Sequence, residues 1–395
     1  MIDYKDIRHL ELEVSSLCNA LCPQCGRRAS GGVKNPLFTE TYMTLQNIKD
    51  WFSVDFIKQI HQLGMCGNYG DAMTNPDLIP ILQYFKSINP DIRMQMNSNA
   101  SGRDPEFWRD LGEIFKENGT LVFSVDGLED TNWIYRRGTY WDKIMTAMTN
   151  YKSTGAKARW EFLVFRHNQH QIEEARKLSN ELGIETFFPK KAFGFYKDDD
   201  GENNMHVYGT EGIFEYTIKP SIDIKGKNWN PRQDIQLGNV FNDTVEMGSK
   251  STSGYLKDIK LQLKKSEKSS THVLHWTKKE VDLISPLNEH DKKLSKCDIQ
   301  CEAIDRNQIW VNHAGLVFPC CYTASFYDDA NSEVSLPLKN FINDYGKEKI
   351  SLHHTSLKDI IDGDMYTNKW IESFKDRDIR NKRLKACSLM CGVET

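Results

Sequence analysis

Three cysteines fall within eight residues near the start of the chain: Cys18, Cys22 and Cys25, in the stretch CNALCPQC. Thiolates at this spacing on one loop can converge on a metal, yet no fourth cysteine or histidine lies near enough to complete a tetrahedral site. A second set follows near the other end, comprising Cys297, Cys301, Cys320, Cys321, Cys387 and Cys391, while Cys66 stands alone. Ten cysteines in a secreted chain would read as a disulfide framework. This chain has 395 residues, and its start, MIDYKDIRHL, lacks the basic and apolar regions of a signal peptide. The expectation is therefore a cytoplasmic protein with reduced thiols and two separate metal sites. A zinc knuckle borrowing a distant ligand is the alternative for the first set, and a four-cysteine zinc site for the second.

Composition narrows the classes further. Hydrophobic residues make up 39% of the chain, aromatic residues 11% and charged residues 27%, which is a globular balance with enough apolar material for a sizeable core. No apolar run reaches the roughly 18 to 20 residues that span a bilayer. A formal charge of -4 disfavours broad adhesion to nucleic acid or anionic lipid.

Positioning the cysteines requires a scaffold, and residues 9 to 190 supply one in alternating segments. Strand-like runs occur at LELEV (10 to 14), MCGNYG (65 to 70), RMQMNSN (93 to 99), LVFSVDG (121 to 127), RWEFLVF (159 to 165) and IETFFP (184 to 189). Helical spacing marks residues 45 to 63, 76 to 88, 104 to 115, 141 to 153 and 168 to 182 between them. Six strands alternating with five helices predict an α/β fold of successive βα units around a parallel sheet. About 180 residues fall short of a full eight-unit barrel, so a partial (β/α)6 barrel is expected. The unusual residues follow the carboxyl ends of these strands: the cysteine triplet, GNYGDA, NSNASG, SVDG and FRHN. That is the rim where such folds place their sites.

On these motifs the chain resembles the radical S-adenosylmethionine (radical SAM) superfamily. The resemblance implies that Cys18, Cys22 and Cys25 hold three irons of a 4Fe-4S cluster and that the fourth iron is left open for the amino and carboxylate groups of S-adenosylmethionine. The missing ligand is then the vacancy the chemistry needs. Asn68, Tyr69, Gly70, Asp71 and Ala72 resemble the family's GGEP-like stretch, whose backbone meets the methionine amino group; a strand-to-helix turn is the plain reading of the same residues. Asn97, Ser98, Asn99 and Ala100 resemble the turn that lines the cofactor pocket. In SVDG the resemblance implies ribose contact by Ser124, with Arg137 on the methionine carboxylate. Val164 and Phe165 would flank the adenine, or simply pack. Asp126 is a candidate proton acceptor, or a residue bonding its own turn.

Residues 195 to 295 read as a charged insertion of loop or solvated helix, including KDDDGENN and LKDIKLQLKKSEKSSTHVLHW. Residues 296 to 395 resemble the family's SPASM or twitch extension, a small α+β domain with a β-hairpin and following helix that binds auxiliary clusters. Six cysteines fit the shorter, single-cluster form, with Cys301, Cys320, Cys387 and Cys391 as ligands and Cys297 as the alternate. Neighbouring strand residues point to opposite faces, so Cys320 and Cys321 should not share a cluster; Cys321 and Cys66 are expected to be structural.

The implied activity is reductive cleavage of S-adenosylmethionine to a 5'-deoxyadenosyl radical, which takes hydrogen from a substrate carbon. The substrate expected first is a peptide or protein side chain undergoing oxidative modification. A small molecule such as an amino sugar is the alternative, and a zinc-stabilised binding protein without catalysis is the second alternative. An external one-electron reductant of flavodoxin or ferredoxin type is implied as partner. No peptide-recognition domain precedes the first strand, which weighs slightly against a maturase that reads a leader peptide.

Overall fold

The computed structural model describes residues 2–35, 38–197, 203–222, 289–328, 334–379 and 383–393. The run LKDIKLQLKKSEKSSTHVLHW and residues 198–202 of KDDDGENN lie outside these. Two compact units make up the chain, one of residues 1–17, 36–96 and 275–395, the other of residues 18–35 and 97–274. No helix among the described residues is long and apolar enough to cross a membrane.

The first unit is built on β1 (His9–Leu12), which pairs in parallel with β2 (Gln62–Met65) on one side and β11 (Gln308–Val311) on the other. Alternation decides its faces: Leu10 and Leu12 are fully buried, whereas Glu11 lies over Gly64 of β2, where a Cβ would sit 2.1 Å from the carboxylate. The start of β3 (Arg93–Ser98) extends β2 in parallel, and β12 (Val317–Phe318) returns antiparallel on β11. A separate antiparallel pair joins β10 (Asp298–Ile299) to β13 (Gly392–Val393). The apolar run that suggested one helix over residues 45 to 63 divides into three elements. Thr44 caps α1 (Leu45–Trp51) through a reciprocal box with Asn47, and Ser53 caps α2 (Val54–Gln59). Residues 62–65 then become β2, so the strand lies ahead of its expected place at 65 to 70 and MCGNYG is mostly the loop that follows. Helix α3 (Leu78–Ile88) buries Leu78, Ile81, Leu82 and Phe85, the single stripe its spacing predicts.

In the second unit β4 (Gly119–Ser124), β5 (Lys157–Val164) and β6 (Thr186–Lys191) pair in parallel order. Ala158, Trp160, Phe162 and Val164 alternate into the core from β5, each large one contributing about 1.5 to 3 kcal/mol. Helices α4 (Pro105–Phe115), α6 (Trp141–Lys152) and α7 (Ile172–Glu181) fall where periodicity put them; the four-residue α5 (Asn132–Tyr135) had no such signal. The α/β class and the βα succession of a partial barrel are as expected.

One expectation fails here. Residues 203 to 218 belong to the stretch read as loop or solvated helix, yet they form β8 (Asn203–Tyr208) and β9 (Phe214–Ile218), antiparallel to each other, with the two-residue β7 (Tyr196–Lys197) on β8. Met205, Val207, Tyr216 and Ile218 alternate inward and join Ala20, Cys22, Tyr135 and Phe165 in one apolar cluster. Burial of that face outweighs the polar surroundings that masked it.

Candidate functional site

Cys18, Cys22 and Cys25 lie together in the second unit, with Cys22 inside the apolar cluster and Cys18 and Cys25 packed against it. Each sulfur meets an N–H donor. The backbone of Ala20 and the Asn99 Nδ2 both donate to the Cys18 Sγ at 3.4 Å, the Arg136 Nη1 reaches the Cys22 Sγ at 3.7 Å, and the Arg27 guanidinium bonds the Cys25 sulfur. Arg27 is buried and threads the loop, its Nη2 donating to the carbonyls of Ala20 at 2.7 Å and Cys18 at 3.1 Å. Burial pushes the Cys22 thiol up, and Arg136 opposes that push.

Arg136 is held by Asp126. The Arg136 Nε donates to the Asp126 Oδ2 at 2.5 Å, while the Asp126 Oδ1 accepts from the Leu163 backbone N–H at 2.6 Å. Asp126 has no solvent exposure, and its two oxygens accept from Arg136 and from the Leu163 backbone. Burial raises its pKa and Arg136 counters. The carboxylate is built to orient a guanidinium toward Cys22.

Arg137 turns the other way. It pairs with Glu215 of β9 and donates to the carbonyls of Tyr208 at 2.7 Å and Gly31 at 3.2 Å, so it staples the hairpin to the cysteine loop. The cation beside the thiols is Arg136, for which the sequence reading named no role; Arg137, expected from the resemblance to meet a methionine carboxylate, lies on Glu215 and the hairpin carbonyls. Side-chain direction at the end of a four-residue helix leaves no periodic trace, so these adjacent arginines could not be told apart beforehand.

The remaining second-unit residues fall nearby in varied roles. Ser98 is buried and its Oγ accepts from the Ala100 backbone at 3.0 Å; Asn99, through Nδ2 to Asn19 at 3.0 Å as well as to Cys18, belongs to the thiol surroundings. Ser124 closes β4, half-buried. Val164 and Phe165 are fully buried, the Phe165 ring 4.6 Å from that of Tyr135, so packing accounts for both.

In the first unit, residues 66 to 72 form the loop after β2. The backbone N–H groups of Tyr69 and Gly70 donate to the Glu13 Oε1 at 2.6 and 3.2 Å, and that of Asp71 donates to the Leu17 carbonyl at 2.8 Å. Only glycine fits at 70, where a Cβ would stand 1.7 Å from the Ser15 carbonyl oxygen. The Asp71 side chain caps the turn that follows by accepting from Met73. The Asn68 Nδ2 donates to the Cys321 carbonyl at 2.9 Å and the Tyr69 hydroxyl to that of Ser325.

The same unit gathers the C-terminal cysteines. Burial pushes the Cys301 thiol up to about 11, with Cys320 and Cys391 adding to the push; Cys387 rises well above its ordinary value through burial and the nearness of Cys320, Cys301 and Cys391. These four are the ones named from sequence, and they are mutual neighbours. Cys297 bonds instead to the Leu294 carbonyl at 3.2 Å and accepts from the fully buried Arg383 at 3.2 Å. The adjacent Cys320 and Cys321 separate for a reason other than strand alternation: Cys321 opens the helix Cys321–Asp328 and lies with Cys66 and Glu11, its thiol pushed up to about 12 by burial.

Among the described residues no three Cys, His, Asp or Glu side chains are drawn up as a finished metal site. The triplet's surroundings nevertheless suit an anionic thiolate-ligated cluster, since each sulfur faces a donor and two guanidiniums bring positive charge.

Residues 12–179 match the family model described as Radical SAM superfamily. Among solved structures, similarity is found to Streptococcus suis SuiB bound to precursor peptide SuiA, at 13% identity and a TM-score of 0.43 over 97% of this chain and 77% of that one. Native anSMEcpe with bound AdoMet is 12% identical, with a TM-score of 0.44 over 91% of this chain and 81% of that one. Methylornithine synthase (PylB) is 13% identical, with a TM-score of 0.34 over 47% of this chain and 56% of that one. No curated protein matches the sequence.

Proposed function

We propose that the chain is a radical SAM enzyme that oxidatively modifies a peptide or protein side chain, with residues 1–194 as its catalytic core and residues 296–395 as an auxiliary-cluster domain. What carries this reading is the thiol loop: Cys18, Cys22 and Cys25 share one buried neighbourhood in which every sulfur accepts a hydrogen bond. A zinc knuckle would need a fourth ligand and no such cations.

With a 4Fe-4S cluster held by these thiolates, the chemistry supplied is one-electron cleavage of S-adenosylmethionine to methionine and a 5'-deoxyadenosyl radical that takes hydrogen from a substrate carbon. Arg27 and Arg136 hold positive charge against the ligand sulfurs, and Asp126 fixes the direction of Arg136. The backbone of residues 68–72 is the part of that loop left to meet the amino group, because the Asn68 and Tyr69 side chains are committed to the C-terminal helix. Phe165, Tyr135 and the inner face of β8 and β9 keep water from the cysteine loop. Cys301, Cys320, Cys387 and Cys391 would hold one auxiliary 4Fe-4S cluster, and a flavodoxin- or ferredoxin-type protein would deliver the electron. The substrate class rests on resemblance to relatives with such C-terminal cysteine extensions.

The test is anaerobic reconstitution with iron and sulfide, reduction, addition of S-adenosylmethionine and assay of 5'-deoxyadenosine and metal. About eight irons per chain and 5'-deoxyadenosine formation are expected. Bound zinc without cleavage would overturn the reading.

A further inference from the structure

Glu13 is a buried carboxylate with an unusual division of labour. Its Oε1 accepts from the backbone N–H groups of Tyr69 and Gly70. Its Oε2 is buried with no hydrogen-bond partner among the described residues, 3.8 Å from the His313 Nδ1, which is likewise buried without one. A charge taken out of water needs donors, and here two of them come from one loop. Were residues 69 and 70 to swing away, the carboxylate would be stranded in the core, so Glu13 penalises every open form of that loop.

A second grip comes from the C-terminal segment. Asn68 and Tyr69 donate to the carbonyls of Cys321 and Ser325, one turn apart on the helix that begins immediately after Cys320. The Phe38 ring lies between the two grips, 4.8 Å from Tyr69 and 5.2 Å from His313. His313 reaches this place because β11 runs parallel to β1, whose continuation at Glu13 donates its backbone N–H to the Val311 carbonyl at 2.9 Å.

We infer that Glu13 and the helix Cys321–Asp328 are positioning groups that hold the loop Asn68–Gly70 in its cofactor-ready shape, making the C-terminal segment part of the S-adenosylmethionine site. This rests on the reading of residues 68–72 as the loop that meets the cofactor. The grip bonds only to protein groups of the loop, so its effect falls on binding and on loop order.

The experiment compares the wild-type chain with Glu13→Ala, Glu13→Gln and Tyr69→Phe, each reconstituted but not reduced. Affinity for S-adenosylmethionine is measured by equilibrium dialysis, iron content is measured beside it, and backbone exchange of residues 68–72 is measured without ligand. Losing two charge-assisted bonds should weaken binding about tenfold in Glu13→Ala and speed exchange by a similar factor, at wild-type iron content. Tyr69→Phe removes one hydroxyl and should cost about threefold, and it keeps the test open should Glu13→Ala fail to fold. Glu13→Gln retains the Oε1 acceptor and should restore binding. Unchanged exchange and affinity in Glu13→Ala and Tyr69→Phe would overturn the positioning role alone, whereas a wild-type chain with full iron that binds no S-adenosylmethionine would overturn the functional reading beneath it.

Discussion

The two cysteine groups of this chain sit in differently charged surroundings. Around Cys18, Cys22 and Cys25, buried charge is answered by opposite charge: Arg136 by Asp126, and both Arg27 and Arg136 by the sulfurs themselves. Around Cys301, Cys387 and Cys391, burial and neighbouring thiols push every one of the three upward, and Arg383 is the cation acting on Cys387. Arg27 and Arg136 stand beside the sulfurs of the first group before anything binds, although burial still pushes the Cys22 thiol up; in both groups a metal would be held only once the thiols lose their protons. Donors and cations beside ligating sulfurs offset the negative charge that a thiolate-ligated cluster would bring.

The largest break in this contrast would come from Cys18→Ala, Cys22→Ala, Cys25→Ala together. Cleavage of S-adenosylmethionine should vanish and iron should fall from about eight to about four per chain, read by metal analysis and by 5'-deoxyadenosine yield. The reciprocal variant, Cys387→Ala with Cys391→Ala, should also lose about four irons while the cleavage-competent signal of the first cluster persists in low-temperature electron paramagnetic resonance. Equal loss of both signals would show that the two groups are not separate sites.

Smaller effects sharpen the difference. Arg136→Gln leaves Asp126 buried without its cation and should lower stability by about 3 kcal/mol in denaturant unfolding, with partial recovery in the Asp126→Asn, Arg136→Gln double variant. If the single variant unfolds like wild type, the pair does not organise the loop. Glu11, beside Cys66 and Cys321, probes the other side. Burial pushes its pKa from 4.5 up to about 7, so the folded state holds a proton that the unfolded chain has released. Its stabilising share is full below pH 4.5 and disappears as pH rises through 7; Asp328, pushed from 3.8 up to about 6, slopes the same way. Glu11→Gln should therefore match wild type near pH 5 and exceed it by about 1 kcal/mol at pH 8 in thermal unfolding, a modest figure because the side chain is not wholly buried. A difference independent of pH would contradict the shift.

Legibility in the sequence followed the physics of each element. Helices α3, α4 and α6 announce themselves through apolar stripes, and the triplet, the Gly70 turn and the four C-terminal cysteines are visible as residue types at fixed spacing. Other features depend on partners far away in sequence. The alternation of Met205 and Val207 with Tyr216 and Ile218 was present, but too short and too embedded in polar residues to outweigh them. Arg136 and Arg137 are chemically identical, and only the backbone direction after Tyr135 assigns one to Cys22 and the other to Glu215. Glu13 lies in an apolar strand-like run, where alternation marks its face but not the two amides 56 and 57 residues later that it receives.

The pairing of β1 with both β2 and β11 also has a consequence for biosynthesis. One edge of His9–Leu12 waits for Gln308–Val311, roughly 300 residues behind, or about 15 to 60 s at common rates of synthesis. Throughout that interval the nascent chain carries an unpaired apolar strand edge, the kind of surface that recruits chaperones or aggregates. Slowing translation between the codons for β1 and β11 should thus lower the yield of folded protein more than the same slowing beyond β11.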